Sequence, residues 1–387
     1  MPSMKICLVG LDNLPVLAPE HRGHPIGGES VQQTLLGRAL VRRGHDISMV
    51  TLDYGQEDAA VRDGICVYRA YRPAAGVPVL RFFHPRGSAL WSALARADAQ
   101  LYYTSCAGMH VGLLAAFCAR HGRRLVFRCA SDSDCDPSRL LIRYARDRWL
   151  YSYGLRRADV ILVQSAAQAH ALKRHFGLAG RLAGMLVEPA PPAAGRDIDV
   201  LWIGNIRQVK RPERVLALAE RLPKAVIHMV GGPVPDEAAL YERVRRDAAL
   251  YPNLTFHGPM PYGQANAMYG RARLLANTSD VEGFPNAYLQ SWTLGVPVVS
   301  FSDPDGVISR HGLGAAVASP LEMGETIRGL LGDPGALAAA SSRCLAYMAR
   351  EYSEERILAP YLAAFEELTC NTRRALHMLA AGGGQHV

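Results

Sequence analysis

The chain has 387 residues, of which 49% are apolar and 20% are charged, and it carries a net charge of +8 at pH 7. This length favours two domains of about 190 residues, each with enough apolar residues for a core. No stretch reaches the roughly 18 consecutive apolar residues that span a membrane, and the opening MPSMKICLVG lacks the features of a signal peptide. These properties predict a cytoplasmic protein whose eight scattered cysteines remain reduced thiols.

Short apolar runs alternate with helical patterns through the first half of the chain, as in parallel sheets covered on both faces. Strands are predicted at residues 5–9, 46–51, 100–103, 125–129 and 160–164. Between the first two strands, Gly27 and Gly28 form a loop that lets a phosphate or an acceptor approach the backbone closely. A helix is predicted to follow over residues 31–43, with Ser30 and Gln33 as a capping box at its start.

A basic and aromatic segment runs from Arg139 to Arg157. It contains six arginines and one acidic residue, interleaved with leucine, isoleucine, tyrosine and tryptophan. One interpretation is a helix that binds an anionic membrane surface, where each cation is worth about 1 kcal/mol. The other is a helix that packs its aromatic side chains in the core and leaves its arginines solvated. No nucleic-acid-binding module accompanies this charge, so no nucleic-acid partner is expected.

The second half repeats the alternation after a proline-rich run at residues 189–195, which suits a linker. A strand at residues 200–203 leads into a glycine and a cluster of cations that precede a helix. Another strand, near residues 227–230, ends at Gly231. We expect ligands at the carboxyl ends of these strands, where parallel sheets bind nucleotides.

The most informative segment is Glu282-Gly283-Phe284-Pro285-Asn286. It joins the end of a strand near residues 275–278 to a helix over residues 287–294, and a buried strand at residues 296–301 follows. The N–H groups of the first helical turn favour a phosphate or polarised hydroxyls. The Glu282 carboxylate beside them can accept hydrogen bonds from sugar hydroxyls.

These segments, in this order, resemble the retaining GT-B glycosyltransferases of family 4, and the resemblance covers most of the chain. It implies that Lys210 grips the donor diphosphate and that Glu282 holds the donor sugar. It also implies that Gly27 and Gly28 form the acceptor or phosphate loop. The donor-binding residues that it implies are Gly204, Asn205, Arg207, Lys210, Gly231, Glu282, Gly283, Phe284, Pro285, Asn286 and Gln290.

The chain departs from the family pattern at three places. Gln290 stands where the family has a second glutamate that holds the ribose, and a neutral partner should weaken donor binding by about tenfold. Asn205 stands where the family has an arginine, so we expect Arg207 or Arg211 to supply that charge. The family's His-Asp pair is absent from residues 129–136, where Asp132 is the nearest match to its aspartate and the role of the histidine is not carried over.

The same acidic stretch allows a rival interpretation. Asp132-Ser133-Asp134 is a D-x-D triplet of the kind that binds a divalent cation in GT-A enzymes. Cys129 and Cys135 flank the triplet, but hard carboxylates and soft thiols suit different metals. We therefore expect no metal, and no cofactor beyond the nucleotide-sugar co-substrate.

The predicted architecture is α/β, a GT-B fold with two Rossmann-like parallel-sheet domains facing each other across a cleft. The predicted parts are an acceptor domain at residues 1–188, a linker at 189–197, a nucleotide-sugar donor domain at 198–355, and at 356–387 a helix that crosses back to the first domain before a frayed tail.

The predicted function is transfer of a sugar from a nucleotide diphosphate to a hydroxyl of a glycan or lipid-linked glycan, with retention of anomeric configuration. The candidate catalytic residues are Glu282, Lys210 and Asp132. A cytoplasmic enzyme held at the inner membrane face through Arg139 to Arg157 fits these expectations. A sugar-nucleotide epimerase and a non-catalytic sugar-nucleotide-binding protein remain alternatives, and the base, the sugar and the acceptor are left open.

Overall fold

A computed structural model describes residues 3–21, 26–77, 80–188 and 195–382 of the protein. The chain forms two compact units. Unit 1 contains Glu29–Gly184 together with residues 3–21 and 355–382, and unit 2 contains residues 26–28 and 185–354. Most of the predicted linker, residues 189–194, lies outside the described residues, as do residues 383–387 of the predicted tail.

Unit 1 is built on an eight-stranded sheet. Its strands are β1 (Lys5–Val9), β2 (Asp46–Thr51), β3 (Ala60–Arg62), β4 (Ile65–Arg69), β5 (Leu101–Ser105), β6 (Arg124–Arg128), β7 (Val160–Val163) and β8 (Arg181–Leu182). They lie in the order β3-β4-β2-β1-β5-β6-β7-β8, and all neighbours are parallel except β3 and β4. The central strands are buried apolar runs, as expected for a sheet covered on both faces.

Seven helices accompany this sheet in the described residues. They are α1 (Leu14–Leu17), α2 (Gly28–Arg42), α3 (Ser88–Ala97), α4 (Met109–His121), α5 (Ala145–Leu155), α6 (Ala166–Phe176) and, from the end of the chain, α14 (Glu354–Gly382). The last helix packs in unit 1, because the Tyr361 hydroxyl donates to the Gly184 carbonyl at 2.8 Å and the Phe365 ring lies 6.3 Å from that of Tyr103.

Unit 2 has a fully parallel six-stranded sheet. Its strands are β9 (Ile198–Ile203), β10 (Ile227–Val230), β11 (Leu254–Gly258), β12 (Ala272–Asn277), β13 (Val298–Ser300) and β14 (Gly314–Ala316), in the order β11-β10-β9-β12-β13-β14. Successive side chains of β9 enter opposite cores, as the two-residue period of a strand requires: Trp202 packs in one and Leu201 in the other.

Helices cover both faces of the unit 2 sheet. They are α7 (Glu213–Arg221), α8 (Ala238–Ala248), α9 (Tyr262–Arg271), α10 (Asn286–Thr293), α11 (Val307–His311), α12 (Pro320–Gly332) and α13 (Pro334–Glu351). Residues of α7, α8 and α12 join one core, and residues of α9, α10 and α13 join the other.

The strand predictions agree with the structure to within a few residues, but the predicted capping box is wrong. Helix α2 begins at Gly28, so Ser30 lies inside its first turn rather than before it. The Gln33 side chain instead donates to the Ser105 hydroxyl and accepts from Asn13 Nδ2 at 2.9 Å. Gln33 therefore ties α2 to the loop after β1 and to the last residue of β5.

The basic segment packs part of its aromatic set in the core, as its second interpretation predicts, while membrane binding stays a prediction. Tyr151 and Leu155 of α5 are fully buried in the core, whereas Trp149 and Tyr144 are 63% and 54% exposed. Its arginines lie mostly at the surface. Within the described residues, no helix is both long enough and apolar enough to cross a bilayer.

Candidate functional site

The order of strands in space departs from their order in sequence at β9. The chain runs from β9 to β10 and β11 on one side, and then returns to place β12 on the other side of β9. At such a switch point the loops that follow the two strands diverge, which leaves a crevice at the carboxyl edge of the sheet. The loop after β9 carries Lys210, and the loop after β12 carries Glu282.

Lys210 and Glu282 form an ion pair at this crevice. Lys210 Nζ lies 2.5 Å from Glu282 Oε1, and Asn277 Nδ2 donates to the same oxygen at 3.3 Å. The two charged side chains are 27% and 10% exposed, so each remains partly accessible to a ligand. The pair brings together a cation, a group that can bind phosphate, and a carboxylate, a group that can accept hydrogen bonds from hydroxyls.

Three hydrogen bonds fix the two loops against each other. The Thr278 hydroxyl donates to the Lys210 carbonyl at 2.6 Å and accepts from Trp202 Nε1 at 2.8 Å. The backbone N–H of Asp280 donates to the Val209 carbonyl at 2.9 Å. Because these contacts hold the backbone on both sides of the crevice, the ion pair has a rigid base.

The start of α10 has no side-chain cap. The helix begins at Asn286 after Pro285, and no side chain at its N-cap accepts from the first turn. Gly283 and Pro285 are buried, and the Phe284 ring packs edge-on against Trp292 at 6.2 Å. The first-turn N–H groups are thus held in place with the positive end of the helix dipole behind them.

Two predicted glycines bring the loops after β9 and β10 together. A Cβ atom at Gly231 would lie 2.0 Å from the Gly204 carbonyl oxygen, so only glycine fits there. The Gly204 N–H donates to the Val230 carbonyl at 3.0 Å. This close backbone packing forms the floor of the sheet edge next to Lys210.

Two asparagines hold residues 26–28 within unit 2. Asn205 Nδ2 donates to the Ile26 carbonyl at 3.0 Å, and Asn286 Nδ2 donates to the Gly28 carbonyl at 2.5 Å. A Cβ atom at Gly28 would lie 2.8 Å from Asn286 Nδ2. In this structure Asn205 therefore contacts the glycine loop, in which Gly27 is half-buried.

The two arginines expected to replace the missing family arginine have other partners. Arg211 pairs with Asp280 and, at 3.4 Å, with Glu213. Arg207 lies 3.7 Å from Glu237 and is 43% exposed. Lys210 is thus the cation that contacts Glu282.

Gln290 lies on α10, and its side-chain amide contacts Tyr262, a residue that the sequence analysis did not single out. Its Nε2 donates to the Tyr262 hydroxyl at 3.2 Å. Tyr262, Asn277 and Thr278 are the polar residues of this edge that sequence reasoning missed. Asn277 ends the buried strand β12 and Thr278 follows it. That position was a usable signal because carboxyl ends of parallel strands meet at one edge.

Asp132 belongs to unit 1, in a short helical turn after β6. It accepts from Gln168 Nε2 at 3.1 Å, whereas Asp134 accepts from the N–H groups of Ala130 and Ser131 at 2.8 and 3.2 Å. Burial raises the pKa of Asp134 to about 6. The two carboxylates have separate partners, and the described residues contain no group of three or more potential metal ligands.

Two parallel-sheet α/β units define the GT-B class, and solved structures show the same fold. A sucrose-phosphate synthase from Thermosynechococcus elongatus superimposes with a TM-score of 0.71 at 18% identity, covering 96% of this chain and 99% of that one. Anabaena HepE, solved in complex with UDP and glucose, superimposes with a TM-score of 0.71 at 16% identity, covering 95% and 99%.

Family models identify both halves of the sequence. Residues 26–183 match Glycosyltransferase Family 4, and residues 197–333 match Glycosyl transferases group 1. Together the two matches span more than half of the sequence, and the chain belongs to glycosyltransferase family 4.

Curated relatives resemble part of the chain. The D-inositol 3-phosphate glycosyltransferase of Mycolicibacterium paratuberculosis is 28% identical over an alignment of 201 positions that covers 48% of this chain and 45% of that protein. The protein of the same name from Mycobacterium tuberculosis is 26% identical over 200 residues, or 48% and 42%. The match therefore spans less than half the length of these relatives.

Proposed function

We propose that the chain transfers a sugar from a nucleotide diphosphate to an acceptor hydroxyl, with retention of anomeric configuration. The observation that carries this proposal is the Lys210–Glu282 pair, which lies at the strand switch point of unit 2 beside the uncapped start of α10. Lys210 binds the diphosphate, and Glu282 accepts hydrogen bonds from the sugar. Gln290 and Tyr262 lie on the same edge and supply polar contacts for the ribose.

Charge balance explains the role of each group. As the bond between the anomeric carbon and the phosphate oxygen breaks, negative charge collects on the leaving diphosphate, where Lys210 and the α10 N–H groups stabilise it. The acceptor oxygen bonds to the same face of the anomeric carbon, and its proton passes to the leaving phosphate oxygen. No protein nucleophile is required, so the protein contributes positioning and electrostatic stabilisation.

The first test is donor binding. Because HepE was solved with UDP, we would begin with UDP and extend to GDP, ADP and TDP and their sugars, following the melting temperature with and without EDTA. A donor that binds the folded state raises the melting temperature by mass action. We expect one nucleotide family to stabilise the protein, with no change on adding EDTA, and we expect Lys210→Ala to abolish that shift.

Lys224→Ala is the matched control, since Lys224 is an exposed lysine of the same unit away from the crevice. With the bound donor, Lys210→Ala should also lower kcat for nucleotide diphosphate release by about a hundredfold. Equal shifts in both lysine variants would contradict the donor site.

The reaction products separate the two alternative functions. Epimeric product without free nucleotide diphosphate would favour the epimerase, and donor binding without turnover would favour a non-catalytic protein.

We further propose that unit 1 docks on an anionic membrane. Six of the twelve most exposed large apolar side chains among the described residues fall in two short segments, and they are Val77, Leu80, Phe83, Leu141, Tyr144 and Trp149. The segments meet where the Arg146 guanidinium lies 3.8 Å from the centre of the Phe82 ring. Exposed aromatic side chains beside arginines are typical of interfacial binding.

Sedimentation with lipid vesicles tests this surface. We expect binding to vesicles that contain phosphatidylglycerol, weak binding to pure phosphatidylcholine, and release by about 0.5 M sodium chloride, which screens charges. Trp149→Ala and Phe83→Ser should each reduce binding. Leu250→Ser provides the control, because Leu250 is 76% exposed on unit 2. Equal loss in all three variants, or none, would refute the docking surface.

A further inference from the structure

Unit 1 contains a buried ion pair that the donor chemistry does not use. Arg128, the last residue of β6, is completely buried, and its Nη1 donates to both carboxylate oxygens of Glu29 at 2.8 Å. Its Nε and Nη2 have no hydrogen-bond partner among the described residues. A buried charge with unpaired donors is costly, and an apolar pair of similar volume is often at least as stable. Stability therefore does not account for this pair.

The pair lies at the edge of the sheet where ligands bind. Glu29 is in the first turn of α2, where the helix dipole favours a carboxylate, and Arg128 ends a strand next to β5. In unit 1 the chain order and the strand order diverge between β1 and β5, so the carboxyl edge beside them is the crevice of that sheet.

Glu29 is the member of this cluster that a ligand can reach. Its side chain is 15% exposed, whereas that of Arg128 is 0% exposed and Asp134, whose pKa is raised by burial and further by the Glu29 charge, is also buried. Arg128 holds both Glu29 oxygens with one nitrogen, which leaves each oxygen with lone pairs for another donor.

The chemistry of the pair selects a class of ligand. The Glu29 carboxylate accepts hydrogen bonds only, and the unpaired N–H groups of Arg128 donate only. A hydroxyl can donate to the accessible Glu29 carboxylate without carrying a charge of its own, and a polyol offers several such donors, whereas the fully buried Arg128 acts by holding Glu29. A phosphate or carboxylate would suit Arg128 but would be repelled by Glu29.

We propose that Glu29, oriented by Arg128, binds a hydroxyl of a polyol acceptor on unit 1. Glu29 is then an acceptor-specificity residue, and Arg128 is a positioning residue that acts through it. This inference rests on the proposed transferase function, because it assigns the second substrate of the same reaction.

The test pairs substitutions with changes in the acceptor. Nucleotide diphosphate release is titrated with glycerol, myo-inositol and D-glucose, and with the monodeoxy analogues of D-glucose, in the wild type and in Glu29→Gln. We expect Glu29→Gln to raise the KM for the polyol substrate by about tenfold, because a neutral amide oxygen replaces a charged carboxylate as the hydrogen-bond acceptor. The nucleotide Kd should remain unchanged. One deoxy analogue should bind more weakly than glucose to the wild type and equally to the variant.

Controls separate recognition from folding. Asp159→Asn breaks the Arg124–Asp159 pair at the opposite end of the same strand and should not alter acceptor KM. If Glu29→Gln unfolds because Arg128 loses its counter-charge, the double variant Glu29→Gln with Arg128→Met removes both charges and should show the same KM change. Arg128→Lys keeps the charge and should retain part of the acceptor affinity.

Each outcome decides between proposals. An unchanged acceptor KM in Glu29→Gln, or an equal change in Asp159→Asn, overturns the role of Glu29. Saturation-transfer NMR with the same polyols and bound nucleotide covers the case of slow turnover, and nucleotide binding without any polyol binding also overturns it. If no nucleotide binds at all, the proposed donor function fails instead.

Discussion

Lys210 and Glu282 are far apart in sequence yet neutralise each other at the crevice of unit 2. The family resemblance singled out both residues, and each follows a buried strand at the edge where the carboxyl ends of parallel strands meet. Their direct contact was not predictable, since it depends on the loop geometry that Thr278 and Trp202 fix. In the free protein the ion pair keeps both side chains in place. A bound donor would then replace each partner, because it would offer phosphate oxygens to Lys210 and hydroxyl donors to Glu282.

Gln290 offers a prediction at the same scale. If position 290 binds the ribose hydroxyls, Gln290→Glu should lower the Kd of the preferred nucleotide diphosphate by about tenfold, because a charged acceptor replaces a neutral one. Isothermal titration calorimetry would measure the change. The dideoxy form of the nucleotide is the control, and an equal gain in its affinity would show that the carboxylate acts elsewhere.

Other residue contacts were beyond reach of the sequence. Asn205 occupies a family arginine position, but its bond to the Ile26 carbonyl joins residues 179 positions apart and has no local signal. Arg128 stands at the end of an otherwise apolar run, so the strand pattern was clear while its pairing with Glu29 was not. A buried charge in a strand indicates a partner without saying which one.

At the scale of elements, the hydrophobic period predicted most strands and the start of α10 to within one residue, but it missed the start of α2. Helix α2 begins at Gly28, ahead of the predicted start, and Gln33, which was assigned to its capping box, instead contacts Ser105 and Asn13. Strand β13 is shorter than predicted, with Val298 as its first residue after Pro297. Proline cannot donate to a sheet ladder, which explains that boundary.

The turn after β6 makes the stability of unit 1 depend on pH. Burial raises the pKa of Asp134 from 3.8 to about 6, against hydrogen bonds from backbone N–H groups that lower it. A carboxyl with a higher pKa in the folded state binds more protons when the protein is folded. Its contribution to the free energy of unfolding therefore falls as the pH rises from about 4 to 6, and stays constant at pH values above 6. This shift corresponds to about 3 kcal/mol of unfolding free energy.

Asp134→Asn should remove that dependence. Denaturant unfolding between about pH 4 and 6 should show a free energy that declines with rising pH more steeply in the wild type than in the variant. Above about pH 7 the two curves should run parallel, which serves as the internal control. Equal slopes in the lower range would show that Asp134 is not the responsible group.

For the whole molecule, the alternation of strands and helices predicted two parallel-sheet units, and the sheet topology and the similar solved structures confirm the GT-B fold. Composition could not predict the substrates, because the side chains that choose them come from separate loops. The candidate residues Glu29, Asp132 and Lys210 lie at the start of α2, in the turn after β6 and in the loop after β9. The fold follows from periodic patterns, whereas the site depends on irregular segments that have no period.

The two units differ in how continuous they are along the sequence. Nearly all of unit 2 is one continuous stretch, residues 185–354, whereas unit 1 is completed by α14, whose Tyr361 and Phe365 meet Gly184 and Tyr103. Unit 2 is in effect an insertion into unit 1. A recombinant fragment ending at residue 184 would leave an aromatic surface uncovered, and a peptide spanning α14 is its natural complement. Exchange of the inserted stretch between relatives is thus a route to chimeras that keep unit 1 whole.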